Sequence, residues 1–378
     1  MAPRAAARAL LRNTDIVSLP LNGIGHGKYT ERVAYTLEAS APDALPEIVS
    51  FLRHAFHAPA DAPNLSLPLL TWKYCGNGPE WNGSRSYVLR KGSAIAAHIG
   101  AWPIRLATPS GFVQALQAVD WASARESPGA GAALMNKLRE MVPVLIVVGG
   151  SRDTQRVLPA MGFRQHGAAG IYARVLRPWR QFRTRRFEGP RALPRLVRNT
   201  VWSRSPVASA GGWTDRSSDR PDPRLLSRFG AQTRLYPESR CRSAFLEFML
   251  RCPAAAFLYF ELFREGDPQG YFVLSRVGGQ TRLADLRIFS DKPADWAAAY
   301  AVAVRAAARD PQSCELLASA FVPAECLALE ANGFRARGDK PVFVLDPKYV
   351  LGGPAHLHLS MLDDDSAYLN FPENPYST

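Results

Sequence analysis

The sequence lacks cysteine pairs and long apolar runs. It has five cysteines, an odd number, and no two of them have the CxxC spacing. This pattern argues against a disulfide framework and against a cysteine zinc site, and it predicts a cytoplasmic protein with reduced thiols and no bound metal. No uninterrupted run of about 18 apolar residues is present, which argues against a membrane-spanning helix.

Acidic residues are in the minority. The chain of 378 residues has 46 Lys and Arg against 33 Asp and Glu, a formal net charge of +13. This excess predicts affinity for an anionic partner, either nucleic acid, an acidic lipid surface or a phosphorylated cofactor. The length predicts about two domains, and the content of 47% hydrophobic residues predicts that they are globular.

The apolar residues of the first half alternate between helical and strand-like periods. Helices are predicted over residues 43–58, 132–141 and 151–161, with Asp43 or Ser40 capping the first. Strands are predicted over residues 86–90, 94–106, 112–121, 144–148 and 171–176. This order predicts a mixed α/β sheet.

The second half repeats this order. Strands are predicted over residues 257–262, 271–277, 282–289, 316–321 and 342–345, and helices over residues 295–308 and 323–332. In each half the last predicted helix ends in Gly-Phe-Arg, at Gly162-Phe163-Arg164 and at Gly333-Phe334-Arg335. The two halves are therefore interpreted as a diverged internal repeat.

These patterns divide the chain into five parts. They are an N-terminal extension (1–39), a first α/β domain (40–176), an Arg-rich connector and linker (177–223), a second α/β domain (224–347) and a C-terminal tail (348–378). Residues 177–204 contain nine Arg and one acidic residue, with aromatic residues between them. Nucleic acid could bind such a segment, but no nucleic-acid-binding signature accompanies it. We therefore favour a solvated connector or a contact with an acidic surface.

A short glycine loop, Ser127-Pro128-Gly129-Ala130-Gly131-Ala132, stands between a predicted strand and a predicted helix. Backbone N–H groups at the positive end of a helix suit a diphosphate, and small residues let it approach the main chain. The loop matches neither the Walker motif nor GxGxxG. A tight strand-to-helix turn is the simpler alternative.

The order of strand, glycine loop, helix, buried strand, helix ending in Gly-Phe and final strand resembles the GNAT superfamily (GCN5-related N-acetyltransferases). The glycines match the signature (Gln/Arg)-x-x-Gly-x-(Gly/Ala) of that family, while Glu126 stands at its leading basic position. The resemblance implies two GNAT-like domains in tandem. The first would hold acetyl-CoA or another acyl-CoA at the loop Ser127–Ala132, and the second, which lacks a glycine loop, would be a degenerate copy.

Further site residues follow from the same resemblance. The main chain of Trp121 and Ala122 would line the pantetheine, and Ser151 stands where the family has a helix-capping Asn. Many members of the family have a Tyr that acts as general acid for the departing thiolate, and Leu158 stands at its position here. Another proton donor would therefore be needed.

Three residues are candidates for catalysis. Asp120, just before Trp121 and Ala122, lies on the strand where many members of the family carry an acidic base. It is the first candidate for the general base, although capping or pairing with an Arg has equal weight. His98 lies in an apolar strand, where a core histidine is the more common role, but a neutral imidazole could also act as a base. Tyr172 could replace the missing acid, whereas a strand Tyr usually serves packing.

The predicted function is therefore an acyl-CoA-dependent N-acyltransferase. It would move an acyl group from the coenzyme A thioester to an amine on a small molecule or peptide. One alternative is an aminoacyl or peptidyl transferase resembling the tandem-GNAT Fem group, with the basic segment holding an RNA-linked donor. A second alternative is a non-catalytic acyl-CoA or ligand-binding module.

Overall fold

The computed structural model of the chain describes a defined set of residues. They are 14–20, 32–76, 78, 81, 84–184, 192–229, 236–240, 243–353, 356–372 and 375–378. The basic start of the chain, predicted to fray, and the segment Asn22–Lys28, predicted to be a loop, lie outside them.

Fourteen strands of the described residues join in one sheet. They are β1 (Thr14–Pro20), β2 (Arg32–Ala39), β3 (Ser86–Lys91), β4 (Ala94–Thr108), β5 (Gly111–Ser123), β6 (Val144–Val148), β7 (Arg164–Val175), β8 (Trp213–Ser218), β9 (Glu238–Ser239), β10 (Ala256–Arg264), β11 (Asp267–Val277), β12 (Gln280–Ile288), β13 (Glu315–Ala320) and β14 (Arg335–Leu345).

Ten α-helices of the described residues flank the sheet. They are α1 (Leu45–Ala55), α2 (Leu67–Leu70), α3 (Ala130–Met141), α4 (Arg152–Ala160), α5 (Pro178–Thr184), α6 (Ala192–Ser203), α7 (Pro223–Phe229), α8 (Ser243–Leu250), α9 (Pro293–Arg309) and α10 (Pro323–Ala331). One π-helical turn, Thr71–Cys75, continues α2. The predicted α/β class and mixed sheet are confirmed.

Apart from the edge strand β1, the sheet has the same arrangement when followed from either end. Its order is β1-β2-β3-β4-β5-β6-β14-β7-β13-β12-β11-β10-β8, and β9 pairs with β4. β5 and β6 are parallel, as are β12 and β13. The run from β2 to β6 is therefore matched by the run from β8 to β13, as an internal repeat would require.

The last strand of each half crosses into the other half. β14 pairs with β6, and β7 pairs with β13, while β7 and β14 pair with each other at the centre. Domain boundaries drawn along the chain at residues 176 and 224 thus cut through hydrogen-bonded strands. The division of the chain into domains stays a prediction.

Several local expectations need correction. The connector contains β8, an edge strand whose polar side chains carry no apolar alternation, so the sequence signal for a strand was missing. Neither Asp43 nor Ser40 is the cap of α1, which follows a 3-10 turn with Ala44 at its N-cap. For the C-terminal tail, surface decoration and interdomain packing are both open from the sequence, and the structure favours packing, because Leu357, Leu359 and Leu362 lie buried in the largest core cluster.

The exchanged strands predict how the protein responds to cleavage. We expect a protein cut at an inserted protease site between Gly211 and Gly212, which are exposed, to stay in one piece. The two fragments share the β6–β14 and β7–β13 pairings, so separating them would leave strand edges unpaired. Size-exclusion chromatography of the cut and uncut proteins, with and without urea, checks this. Separation of the fragments without denaturant would contradict it.

Candidate functional site

The end of β5 separates from its neighbour β6. Only Ala115, Leu116 and Gln117 of β5 pair with β6, although β5 continues to Ser123. The main chain beyond Gln117 is therefore free on this side to contact a ligand. The glycine loop follows directly and leads into α3.

The glycine loop has the backbone shape of a helix start. Gly129 is the N-cap of α3 with φ of +84°, a left-handed conformation that favours glycine. A Cβ at this position would meet nothing within 4 Å, so the loop is open there. The Trp121 indole donates to the Gly131 carbonyl at 2.9 Å and leaves little room for a side chain at Gly131. The loop is thus open at Gly129, and N–H groups at the start of a helix are a chemically suitable partner for an anion.

Asp120 lies at a distortion of the sheet. The β4–β5 register shifts between His98 and Gly100, and Asp120 has φ of +48°. This left-handed conformation is uncommon for a residue other than glycine and occurs often at functional sites. The Lys73 ammonium donates to the Asp120 carboxylate at 2.7 Å, and the Tyr74 hydroxyl donates to the same oxygen.

The charges around Asp120 set its protonation state. Burial opposes the charged form, but the Lys73 ammonium and the hydrogen bonds from Lys73 and Tyr74 outweigh it and lower the pKa of Asp120. Burial also opposes the charge of Lys73, yet Asp120 and the groups near it raise the Lys73 pKa well above its usual value. Asp120 is thus a carboxylate and Lys73 a cation at neutral pH.

A cavity of about 790 Å³ opens at Asp120. Its lining joins α1 and the segment after it to β5 and the C-terminal tail: Phe56, Ala58, Pro59, Asp61, Ala62, Pro63, Asn64, Leu65, Asp120, Asp365, Leu369, Asn370, Phe371 and Pro372. Three carboxylates and mostly apolar side chains face it, and the lining includes no Lys or Arg among the described residues. Such a cavity suits a cationic group attached to an apolar body.

Lys73 links Asp120 to the tail. Its ammonium lies 2.7 Å from the Asp120 carboxylate and 3.5 Å from that of Asp365, with a side chain only 3% exposed. The Tyr368 ring lies 5.8 Å from the same ammonium. The carboxylates of Asp120 and Asp365 are 13% and 22% exposed, so each retains access to the cavity.

His98 supports Asp120 from behind. Its Nδ1 lies 2.9 Å from the Asp120 carbonyl and its Nε2 lies 2.9 Å from the Ser86 hydroxyl. A carbonyl only accepts, so Nδ1 carries the proton and Nε2 accepts from Ser86. His98 is fully buried and does not line the cavity. Its hydrogen bond to the Asp120 carbonyl supports the left-handed backbone conformation of Asp120.

His98 predicts a dependence of stability on pH. Burial lowers its pKa to about 4 from a usual value near 6.5. In this pH range His98 binds a proton in the unfolded chain but stays neutral in the folded protein. Stability is therefore lost as the pH falls from about 6.5 towards 4. We expect about 2 kcal/mol of this loss by pH 5. Urea unfolding at pH 7 and pH 5 measures it, and the His98→Gln variant should lack this component. An equal loss of unfolding free energy between pH 7 and pH 5 in the wild type and in the variant would contradict the prediction.

Two further predicted site residues lie elsewhere. The Ser151 hydroxyl accepts from the Thr154 N–H at 3.2 Å, which confirms Ser151 as the cap of α4. Tyr172 packs in the cluster of α9 and α10, where burial and the nearby Cys326 raise its pKa. No contact joins Tyr172 to Asp120 in the described part of the chain, because β7 lies in the sheet beside β13. The structure therefore does not bring this candidate acid to the candidate base.

Sequence reasoning missed Lys73, Asp365 and Tyr368. Lys73 is a single lysine between two aromatic residues, and Asp365 follows two other aspartates in a segment expected to be decoration or packing. Their link to Asp120 depends on long-range folding, which no local pattern reports. One signal was available, since Asp363-Asp364-Asp365 stands between the apolar pairs Met361-Leu362 and Tyr368-Leu369, which indicates a packed segment.

The second half has a related but closed arrangement. Aligned without gaps, β5 and the start of α3 match β12 and the start of α9, so that Asp120 corresponds to Asp285 and Gly131 to Trp296. The β11–β12 register also shifts, next to Asp285, which accepts a hydrogen bond from the Tyr271 hydroxyl at 2.7 Å. Trp296 is 3% exposed and fills the place of the glycine.

A carboxylate also occupies the first turn of α9. Asp295 accepts from Arg264 at 2.9 Å and from Ser290 at 2.6 Å. A negative group here uses the positive helix end that a phosphate would otherwise approach. The α9 terminus is thus unsuited to a phosphate, in contrast to the open terminus of α3.

The described residues lack two kinds of feature. None of the helices is long and apolar enough to cross a membrane. In the same ranges, no three His, Cys, Asp or Glu side chains are grouped to hold a metal ion.

Comparison with known proteins identifies the fold. No family model matches the chain, and no curated protein matches its sequence. The GCN5-related N-acetyltransferase from Anabaena variabilis ATCC 29413 is similar in structure, with a TM-score of 0.55 and 12% identity over 82% of this chain and 72% of that chain. The GCN5-related N-acetyltransferase from Kribbella flavida has a TM-score of 0.52 and 14% identity over 82% of this chain and 71% of that one. The chain therefore has the fold of the GCN5-related N-acetyltransferases.

Proposed function

We propose that the protein is an acyl-CoA-dependent N-acyltransferase, most simply an acetyltransferase, whose first half holds the active site. One observation carries this proposal. Asp120 lines the cavity, while the next residue, Trp121, contacts the glycine loop. The end of β5 thus joins the open glycine loop on one side to an acceptor-sized cavity on the other.

The glycine loop fits the diphosphate of coenzyme A. The open position at Gly129 and the small side chains of Ala130 and Ala132 let a phosphate reach the first-turn N–H groups of α3. When bound, coenzyme A supplies the activated acyl group as a thioester. The exposed Glu126 beside the loop is unfavourable for a phosphate, so this binding depends mainly on the main chain. The proposal also includes the main chain of Ala122 as a contact of the pantetheine and Ser151 as a residue of the cofactor site.

Asp120 is proposed to take the proton from the acceptor. An amine enters the cavity as an ammonium ion, which the carboxylates of Asp61, Asp120 and Asp365 attract. The low pKa of Asp120 keeps it charged and ready to accept a proton, at the cost of basicity. His98 keeps the Asp120 backbone in place, and Lys73 keeps its carboxylate oriented.

The second half is proposed to be a degenerate copy that supports the first. Trp296 and Asp295 at the start of α9 replace the open glycine loop, which supports this view. Its last strand, β14, supplies the neighbour of β6. A cytoplasmic location, expected from the cysteine pattern, completes the proposal.

Binding and turnover test the proposal separately. Isothermal titration with acetyl-CoA should give one site per chain. Release of the free thiol should then depend on a cationic amine with an apolar body, tried against neutral alcohols and anionic amines of equal size. The absence of acetyl-CoA binding by the folded protein would overturn the proposal. Binding without turnover of any amine would favour a non-catalytic module.

A further inference from the structure

The helices of the connector expose more apolar surface than other parts of the described chain. Trp179 on α5 is 62% exposed, and Leu193, Val197 and Val201 on α6 are 65%, 59% and 64% exposed. Among the other large apolar side chains described, Leu327 at 61% and Tyr349 at 57% reach similar values, but neither has a second one nearby in the sequence. We call Trp179, Leu193, Val197 and Val201 the α5–α6 face.

These four side chains point away from the body of the protein. Gln181 of α5 and Asn199 of α6 are buried and hydrogen bonded to each other at 2.8 Å. Residues two apart lie on nearly opposite sides of a helix, which places Trp179 opposite Gln181, and Val197 and Val201 opposite Asn199. Leu193 continues the same stripe one turn earlier. The α5–α6 face is thus an outer surface whose inner side is anchored.

The segment that carries this face is rich in positive charge. Its described residues, 177–184 and 192–204, include six Arg and no Asp or Glu. Arg177 and Arg180 donate to the carbonyls of Ala308 and Pro311 near the end of α9, which fixes α5 to the body. Arg183 is exposed at the end of α5. Aliphatic residues and a Trp on one face of an Arg-rich helical segment are the pattern of a helix that lies in a membrane interface.

We propose that the α5–α6 face binds an anionic lipid surface, with α6 lying in its plane. The positive charge favours an anionic partner, and the aliphatic stripe favours a partner with an apolar interior. An anionic lipid surface has both properties. Single-stranded RNA would satisfy the arginines, but it stacks on aromatic rings and gains little from Leu193, Val197 and Val201. A symmetric dimer through this face would bring the two Arg-rich segments together, which like charges oppose. This proposal does not rest on the acyltransferase activity.

Vesicle binding by the full chain tests the proposal. We expect the protein to sediment with vesicles that contain phosphatidylserine and to stay in solution with phosphatidylcholine alone. The variant Val197→Glu/Val201→Glu should lower the partition coefficient by about tenfold or more, and Arg183→Gln should lower it by about fivefold. Leu327→Glu is the matched control, because Leu327 is equally exposed on α10, and it should bind as the wild type does. A fluorescence blue shift with anionic vesicles should disappear in Trp179→Phe.

Three results would overturn the proposal. One is the absence of binding to anionic vesicles by the wild type. Another is vesicle binding that the Val197→Glu/Val201→Glu variant retains while Leu327→Glu loses it. The third is a dimer in sedimentation equilibrium that the double variant converts to monomer, or binding to polyuridine that it abolishes, since either would assign the face to another partner.

Discussion

Gly129→Glu is expected to raise the dissociation constant of acetyl-CoA by about 100-fold or more. The substitution adds a negative charge in the open space where the first turn of α3 would meet a diphosphate. It also places a side chain on a residue with φ of +84°, which costs about 1–2 kcal/mol. Isothermal titration measures the effect, and circular dichroism checks the fold.

Two control variants are informative. One separates the effect of the negative charge from that of backbone strain, and the other compares the first half of the chain with the second. Gly129→Ala has the same backbone cost without the charge, so we expect it to weaken binding by less than Glu does. Ala294 stands at the corresponding position of α9 and is exposed, so Ala294→Glu should leave binding unchanged. If Ala294→Glu weakens binding as much as Gly129→Glu does, the second half holds a cofactor site and is not degenerate.

Asp120→Asn is expected to reduce turnover by about 100-fold or more, the usual contribution of a general base. It should also destabilise the fold by about 3 kcal/mol, because the buried Lys73 ammonium loses its nearest carboxylate and retains only Asp365 at 3.5 Å. Thiol release with saturating acetyl-CoA measures the first effect, and urea unfolding measures the second.

Lys73 provides the test that distinguishes catalysis from structure. The double variant Lys73→Met/Asp120→Asn removes both charges, so we expect it to recover stability without recovering turnover. Lys73→Met alone should raise the pKa of Asp120 and move the acidic limb of kcat/KM to higher pH. Full turnover in a folded Asp120→Asn variant would exclude Asp120 as the base and leave it a structural partner of Lys73.

Elements with a strong local apolar period were predictable. The strands β3, β4 and β6 and the helix α3 begin and end within a few residues of their predicted positions. Their boundaries are predictable because the apolar period of a strand or a helix is visible in residues close together in the sequence. β8 was not predicted, because an edge strand with polar side chains has no such period. The glycine loop was found for the same local reason, since Gly129 supplies the left-handed turn within its own motif.

The candidate site was only partly predictable. The family resemblance makes Asp120 a candidate base, and the structure adds that it lines a cavity and pairs with Lys73. Asp365 comes from the C-terminal tail, which is far from Asp120 along the chain but lines the same cavity. Tyr172 was displaced from the site by strand exchange, which the repeated Gly-Phe-Arg endings could not reveal.

The sequence by itself determined the α/β class, the repeated order of elements and the glycine loop, because these depend on local periodicity and on single residues such as Gly129. Only the tertiary structure decided that β7 and β14 change places, that Asp295 and Trp296 close the second half, and that Lys73, Asp120 and Asp365 meet. The packing of the whole chain sets which distant strands pair and which ion pairs form between segments hundreds of residues apart. Local sequence patterns do not predict either.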